Sequence, residues 1–177
     1  MGLGNPGGEY EQTRHNVGFV VLDVLVKQLL VGLQDTSFKF QKRFSSELMI
    51  DKDYIFAKPQ TYMNFSGLAV SKLASFYKIP TSKIFVFHDD LDIRLGEYKI
   101  SKGVGPKVHN GVNSVEEKMG KRDFWRIRIG VDNRPLENRL SGEEYVLQTF
   151  SEEERLALNA VINEITKDLI DMFAKDE

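Results

Sequence analysis

A run of four apolar residues, Ile84 to Phe87, decides the architecture that the sequence predicts. A strand with one face in water alternates apolar and polar side chains, whereas an unbroken apolar run is typical of a strand covered on both faces. Amphipathic helical patterns occur before this run, at 66–77, and after it, at 110–119. We therefore predict an α/β fold, a single-domain three-layer sandwich whose twisted, mixed, largely parallel central sheet is flanked by helices.

The spacing of apolar residues predicts the other elements. A helix is expected over 16–31, and strands are expected within 38–50, 54–57, 97–100 and 124–131. Ser151 and Glu154 form a capping box that opens a last helix running to Met172. Two helices are assigned apolar stripes, namely Leu68, Leu73, Phe76 and Tyr77 in the first, and Leu156, Val161, Ile165, Leu169 and Met172 in the second.

The composition limits the kind of protein this can be. No Pro/Gly/Ser-rich linker or internal repeat divides the chain, so residues 1–177 are predicted to form one domain. No apolar run approaches the ~20 residues needed to cross a bilayer, so we expect no membrane association. The absence of cysteine excludes disulfides, zinc-thiolate sites and a cysteine nucleophile, and it suits the reducing cytoplasm.

The charged residues are unevenly distributed, although the net charge is only −2. From Arg94 to Arg139 there are 11 Lys and Arg against 6 Asp and Glu, whereas the remainder has 13 against 20. Such segregation can place a basic, nucleic-acid-binding face on an acidic protein. Charge runs are more often ordinary solvated surface, so this pattern alone does not decide between the two.

The chain opens with a glycine-rich segment, Gly2-Leu3-Gly4-Asn5-Pro6-Gly7, which fits the dinucleotide-binding pattern G-x-G-x-x-G. In dinucleotide-binding folds the helix begins within this loop, so that its N-terminus faces the pyrophosphate. Here Pro6 interrupts the loop, and the apolar helix begins only near Asn16. A dinucleotide-dependent oxidoreductase is therefore a minor hypothesis, which requires NAD to shift the melting temperature.

Only Met1 precedes the glycine-rich segment, where α/β sheets usually have a buried strand. We expect this strand to be absent or reduced to a stub. Buried backbone groups left unpaired cost ~1 to 3 kcal/mol each. We therefore expect the natural chain to start several residues upstream, and an extended chain to melt at a higher temperature.

A histidine follows the glycine-rich segment, within Thr13-Arg14-His15-Asn16. Histidine is the natural base at neutral pH, but a lone histidine is more often structural. Its role depends on which groups converge on it. The other candidate polar residues also have ordinary interpretations, since Asp89 could cap a strand end, Asn110 could cap a helix and Asn5 could form a turn.

Five motifs resemble those of the bacterial peptidyl-tRNA hydrolase family, in the same order and at similar spacings. They are GLGNPGGEYEQTRHNVGF at 2–19, KPQTYMNFSG at 58–67, VFHDDLD at 86–92, HNG at 109–111 and FWRIRIGV at 124–131. The resemblance covers nearly the whole chain. It implies a monomeric, metal-free and cofactor-free α/β enzyme that hydrolyses the ester between a peptide and its tRNA.

The resemblance also implies roles for individual residues. His15 matches the catalytic histidine, Asp89 the carboxylate that holds it in its basic form, and Asn5 the asparagine that helps separate blocked from free aminoacyl ends. Positions that contact substrate in the family are occupied by Tyr10, Tyr62, Met63, Asn64 and Asn110. His109 and Asp90 lie beside such positions and receive no role.

These roles are chemically consistent. A histidine base contributes ~10² to 10⁴ to such a hydrolysis, and a carboxylate can fix its tautomer and stabilise its imidazolium. Asp89 follows the apolar run 84–87, so we expect it at the carboxyl end of a strand, where open α/β sheets place their sites. Asn64 and Asn110 carry amide donors suited to a carbonyl or an oxyanion.

The sequence departs from the family pattern before the HNG motif, in Gly103-Val104-Gly105-Pro106-Lys107-Val108. Val108 stands where the family generally has glycine, and losing a glycine closes off positive φ. The altered loop keeps open a second hypothesis, a non-catalytic RNA-binding protein on the same fold, like the plant organelle relatives that act in splicing. Retention of His15 and Asp89 favours the enzyme, because a binding protein needs no base.

Overall fold

The computed structural model describes residues 1–135, 137 and 140–175, so Arg139, the end of the basic segment, lies outside the described residues. Strands are interleaved with helices along the chain, as the sequence predicts. The α-helices are α1 (Val17–Leu29), α2 (Ser66–Tyr77), α3 (Asn110–Met119), α4 (Gly142–Val146) and α5 (Glu152–Lys175). The strands are β1 (Lys39–Gln41), β2 (Ser46–Ile50), β3 (Ile55–Pro59), β4 (Phe85–Arg94), β5 (Tyr98–Lys102) and β6 (Trp125–Asp132).

The strands form two three-stranded sheets with the orders β1-β2-β3 and β4-β6-β5. Strands β4 and β6 run parallel, whereas β1–β2, β2–β3 and β5–β6 are antiparallel. The mixed α/β class is confirmed, but parallel pairing is less extensive than the sequence led us to expect. The reason is local, because 39–59 forms an antiparallel meander whose short connections leave no room for a crossover helix.

The chain crosses from one side of β6 to the other between β4 and β5. Gly130 of β6 makes this crossing possible, because a Cβ there would collide with the carbonyl oxygen of Arg94. The Gly130 N–H donates instead to the carbonyl of Glu97, at 2.9 Å. Strand β5 therefore lies beside β6 rather than beside β4, although only three residues connect it to β4.

The first three residues lie between the two sheets. Gly2 N–H donates to Ala57 O of β3 at 3.0 Å, and Leu3 N–H donates to Phe87 O of β4 at 2.9 Å. Phe87 N–H in turn donates to Met1 O at 2.9 Å. The expected first strand is thus a stub in the described structure, and it carries the glycine-rich segment into the carboxyl half of β4.

The apolar run that predicts the architecture is indeed covered on both sides. Phe87 belongs to a core formed with α1 and α5, whereas its neighbour Val86 belongs to a second core formed with α2 and α3. Successive residues of a strand point to opposite faces, so the two cores confirm a three-layer arrangement.

A search of the described helices finds none that is long and apolar enough to span a membrane.

The apolar stripes of two helices are partly wrong. Leu156 is 72% exposed, and Leu158, two positions further along, is buried in its place. Two residues rotate a helix by roughly 200°, so these side chains lie on opposite faces. In α2 the buried face consists of small residues around Leu73, and the side chains assigned wrongly are Leu68, Phe76 and Tyr77, all exposed.

The position of Asp89 in its strand also differs from the expectation. Strand β4 does not end before Asp89 but continues to Arg94, and Asp89 pairs with Ile129 of β6. The register becomes irregular between Asp90 and Arg94. The strand continues because β6 supplies parallel partners beyond the apolar run. Asp89 is therefore held by backbone hydrogen bonds on a rigid strand rather than in a loop.

Candidate active site

His15 and Asp89 are in direct contact, 74 positions apart in sequence. His15 lies in a 3-10 helical turn, Arg14–Asn16, immediately before α1. Its Nδ1 is 2.8 Å from Oδ1 of Asp89. An ionised carboxylate can only accept, so Nδ1 carries the proton and donates it. The other ring nitrogen, Nε2, is then left with a lone pair, as a general base requires.

The electrostatics of the pair favour this protonation state. Burial raises the pKa of Asp89, but His15 and His109 together hold it well below the usual range, so Asp89 is ionised. Burial lowers the pKa of His15, but the charge of Asp89 and the hydrogen bond to it outweigh that effect, so the pKa is raised. His15 therefore titrates above ~6.5, the ordinary value for histidine.

The same carboxylate oxygen contacts a second histidine. Nε2 of His109 is 2.9 Å from Oδ1 of Asp89, and the rings of His15 and His109 have centroids 5.1 Å apart. His109 also provides the N-cap of α3, because its Nδ1 accepts the backbone N–H groups of Gly111 and Val112. Asn110 is thus the first residue of α3, not its cap, and its side chain is exposed.

Asn5 is fixed by two neighbouring segments. Its backbone N–H donates to Oδ1 of Asn16, and Nδ2 of Asn16 donates back to Asn5 O, at 2.8 and 2.9 Å. Its side-chain oxygen accepts the backbone N–H of Met63 at 2.8 Å. The Nδ2 amide of Asn5 has no partner among the described residues, so it is available as a donor to a bound molecule.

The motif at 62–64 combines buried and exposed residues. Met63 is only 3% exposed, and its side chain packs in the core below Gly111, so its observed contribution is to anchor Asn5. Asn64 is exposed, and its side chain makes no hydrogen bond with a described residue. Tyr62 is exposed, with a strained backbone at φ 56° and ψ 159°, and its ring meets that of Tyr10 edge to face at 6.5 Å.

The glycine-rich segment serves for close packing rather than phosphate binding. A Cβ at Gly2 would collide with the carbonyl of Gly18 at the start of α1, and a Cβ at Gly4 would press on the ring of Phe19. The loop is followed by a 3-10 turn, Gly8–Tyr10, and then by the turn that carries His15, so α1 begins only at Val17. The dinucleotide hypothesis therefore finds no structural basis among the described residues.

His15, Asp89 and His109 offer three ligand atoms within 4.8 Å of one another, a spacing that could suit a metal ion. The donor chemistry does not fit one. A neutral imidazole that binds a metal through Nε2 carries its proton on Nδ1, but Nδ1 of His109 already accepts two backbone N–H groups. A metal would therefore have to break the cap of α3.

A family model described as peptidyl-tRNA hydrolase matches residues 1–177. This chain belongs to the peptidyl-tRNA hydrolase family. The peptidyl-tRNA hydrolase of Rickettsia bellii (strain RML369-C) is 44% identical over 170 residues, covering 94% of this chain and 88% of the relative. That of Lawsonia intracellularis is 41% identical over 182 residues, covering 99% and 86%.

A solved structure agrees with the sequence relatives. The crystal structure of peptidyl-tRNA hydrolase from Acinetobacter baumannii at 1.00 Å resolution matches with a TM-score of 0.80 at 30% identity, covering 99% of this chain and 89% of that one. Membership of the peptidyl-tRNA hydrolase family confirms the resemblance drawn from the five motifs. None of these comparisons supports the non-catalytic RNA-binding alternative.

The loop that departs from the usual peptidyl-tRNA hydrolase pattern is not strained by Val108. Positive φ occurs at Gly103 (70°) and Gly105 (68°), the two retained glycines, and not at Val108. A Cβ at Gly105 would collide with the guanidinium of Arg128, which is itself bonded to Asp90. Val108 is 78% exposed. Val108 therefore lies on the surface beside His109, in a backbone conformation that does not require glycine.

Sequence reasoning missed residues that support this hydrolase site. Arg14 is buried and ties the His15 turn to α5 through Glu154, at 2.7 Å, with its guanidinium over the ring of Tyr145. Asn16 links that turn to Asn5. Both residues lie next to His15 in sequence, and this position was the one feature by which the sequence could have indicated them. The capping box of Ser151 and Glu154 is confirmed by its two reciprocal bonds, at 2.8 and 3.2 Å.

Proposed function

We propose that this chain hydrolyses the ester between a peptide, or an N-blocked amino acid, and the 3′ end of tRNA, with His15 as the general base. The observation that carries the proposal is the hydrogen bond from Nδ1 of His15 to Asp89. It leaves Nε2 unprotonated and oriented by a buried anion. A base held in this way activates water near neutral pH.

The chemical steps follow from this base. His15 removes a proton from water while the water oxygen attacks the ester carbonyl carbon, which gives a tetrahedral oxyanion and an imidazolium. The ester C–O bond to the ribose then breaks, and the imidazolium returns its proton to the departing 3′ oxygen. Asp89 stabilises the imidazolium between these steps, as in a triad without its serine. Atoms and charges balance with water alone, so no step is assigned to a metal or cofactor.

Amide side chains are proposed to hold the substrate around this centre. Asn5, through its uncommitted Nδ2, is assigned to the carbonyl of the blocked amino group, and Asn64 and Asn110 to carbonyl or oxyanion oxygens. The exposed Tyr62, with Tyr10 at its edge, offers a surface on which a base or peptide group can stack. Met63 is assigned to substrate positioning through its bond to Asn5.

The organisation of the protein is part of the proposal. We assign residues 1–177 to one domain that acts as a cytoplasmic monomer on peptidyl-tRNA. The absence of cysteine supports the reducing compartment. Light scattering of the purified protein at the concentration used for assay measures the oligomeric state directly, and a dimer there would contradict the monomer.

A turnover assay tests the proposed activity. N-acetylaminoacyl-tRNA and free aminoacyl-tRNA are incubated with the protein, and released tRNA and amino acid are quantified. We expect repeated turnover of the blocked substrate and much slower release from the free one. Stoichiometric tRNA binding with no release of the acyl group would contradict the proposal and support the RNA-binding alternative.

A further inference from the structure

His109 has two partners that together fix where its proton lies. Its Nδ1 is 3.1 Å from the backbone nitrogen of Gly111 and 3.2 Å from that of Val112, and both of these groups are donors. A ring nitrogen can accept them only through its lone pair, so Nδ1 carries no proton. The ring proton is therefore on Nε2, which faces the carboxylate of Asp89.

The same contacts fix the direction in which this ring donates. Nδ1 accepts two N–H groups at the N-terminus of α3, so the N–H on Nε2 is the donor of the ring. That donor lies against Oδ1 of Asp89 at 2.9 Å. His109 is thus an oriented donor to Asp89, whereas His15 must gain and lose a proton.

We propose that His109 is a positioning residue for the base, acting through Asp89. It donates to the same oxygen, Oδ1, that accepts from His15, at 2.9 and 2.8 Å. This donor prevents the carboxylate from rotating and withdraws part of its charge from the His15 imidazolium. The inference rests on the proposed role of His15 as base. It adds that His109, the N-cap of α3, influences this base through Asp89.

Among the described residues, His15 and His109 are the two hydrogen-bond partners of the Asp89 carboxylate. His88, on β4, faces the ring of His109 at 4.9 Å but directs its Nδ1 to the backbone carbonyl of Asp89. The neighbouring carboxylate, Asp90, is engaged by Arg128 of β6 at 2.6 Å. Neither interaction substitutes for the Nε2–H of His109.

Two substitutions separate the helix-capping role of His109 from its contact with Asp89. An asparagine amide occupies the place of Nδ1, so His109→Asn keeps a good N-cap but is too short to reach Asp89. A glutamine amide occupies the place of Nε2, so His109→Gln can donate to Asp89 but loses the cap. If His109 had only a structural role, the more stable variant would also be the more active one, so His109→Asn would be more active than His109→Gln.

We expect the opposite order. His109→Asn should melt within a few degrees of the wild type, yet its kcat should fall roughly tenfold with little change in KM, a part of the ~10² to 10⁴ that a base contributes. Its kcat/KM profile should also move, with the acid limb shifted up by roughly half a pH unit, because more carboxylate charge reaches the imidazolium. His109→Gln should melt roughly 2 to 4 °C lower and recover most of the lost kcat.

A wild-type kcat and an unmoved or downward-shifted acid limb in His109→Asn would overturn the proposal. A separate measurement does not depend on turnover. Nitrogen-15 NMR of the ring at pH 7.5 should show the Nε2–H tautomer of His109, and an Nδ1–H tautomer would also overturn the proposal. If His15 is not the base, a different result shows it, namely that His15→Ala still turns over substrate.

Discussion

Asn5 has an observed structural role, and we propose that the same side chain has a chemical one. Its oxygen accepts from the backbone of Met63, which fixes the amide plane and leaves Nδ2 as an outward donor. A blocked amino group presents a carbonyl that can accept from this donor. A free α-ammonium presents only donors. It therefore offers Nδ2 of Asn5 no acceptor, and its own N–H groups face another donor.

Replacing Asn5 with Asp tests this division of tasks. Aspartate keeps an acceptor for the Met63 N–H but removes the donor, so folding should change little. We expect kcat/KM on N-acetylaminoacyl-tRNA to fall by at least ~10-fold, because the substrate carbonyl is left unpaired. The preference for blocked over free aminoacyl-tRNA should shrink, since a carboxylate attracts the ammonium. Equal losses on both substrates, measured in parallel assays, would contradict the role of Nδ2.

His88 is a buried histidine that the proposed reaction does not use. Its Nδ1 donates to the backbone carbonyl of Asp89 at 2.7 Å, and its Nε2 has no hydrogen-bond partner among the described residues. Burial lowers the pKa of His88 to about 3. Since the unfolded chain takes up this proton near pH 6.5, stability falls as pH drops from 6.5 towards 3, by up to ~1.4 kcal/mol per pH unit.

Replacing His88 with Asn isolates this effect. Asparagine can still donate to the carbonyl of Asp89 but does not titrate. We expect the wild type to be the more stable protein at pH 7.5, and its advantage to shrink as pH falls below 6.5. Urea unfolding of both proteins at several pH values gives the difference, in which the carboxylates common to both cancel. A constant difference down to pH 4.5 would show that His88 takes up a proton in the folded protein.

At the scale of elements, part of the positive charge counted in the sequence is buried or half-buried and paired with carboxylates. Arg126 of β6 is completely buried and paired with Glu116 of α3, and Arg128 is paired with Asp90. Arg134 is likewise paired, with Asp132. Strand alternation puts Arg126 and Arg128 on one face of β6, but a sequence does not reveal which face another helix covers. The surface charge therefore comes from fewer residues than the count suggests.

Three exposed lysines remain candidates for phosphate contact: Lys102 at the end of β5, Lys107 before α3 and Lys121 after it. Lys107 makes only a loose ion pair with Asp92, at 3.5 Å. Replacing all three with Gln should flatten the dependence of log Kd for tRNA on log salt, by up to ~0.9 per lost phosphate contact. Filter binding or fluorescence at four salt concentrations measures the slope.

A matched control replaces three exposed lysines outside the basic segment, Lys27, Lys52 and Lys83, with Gln. The net charge changes by the same amount, so only the location differs. We expect the control to bind with nearly the wild-type slope. If the control flattens the slope and the first variant does not, the tRNA surface lies elsewhere on the molecule.

For the molecule as a whole, the sequence predicted the layers and indicated two candidate site residues that the structure brings into contact. The run 84–87 implied burial on both faces, and Val86 and Phe87 do belong to separate cores. His15 and Asp89 were paired through the family resemblance, and the structure places them in contact. The layers and this contact could be anticipated because hydrophobic burial and ordered motifs leave a strong record in sequence.

The remainder depends on contacts that no periodicity records. The shared oxygen of Asp89 could not be predicted, because it requires the His109 ring to turn towards β4 while capping α3. The crossing of the chain at Gly130 likewise depends on backbone that is distant in sequence. Leu156 and Leu158 were confused because a helix rich in apolar residues offers two competing stripes.

The central claim is that His15 is the base and that Asp89 orients it. The most direct measurement is kcat, KM and tRNA affinity of His15→Ala and Asp89→Asn on N-acetylaminoacyl-tRNA, across pH 5 to 9. For the wild type, kcat/KM should fall as pH drops below an apparent pKa above ~6.5, because Asp89 raises the pKa of His15.

His15→Ala should lower kcat at least ~10²-fold, lose this acid limb and bind tRNA as tightly as the wild type. Asp89→Asn should lower kcat and move the limb to lower pH, because the anion that raises the pKa of His15 is gone. Near wild-type turnover by His15→Ala, with its acid limb intact, would contradict the account.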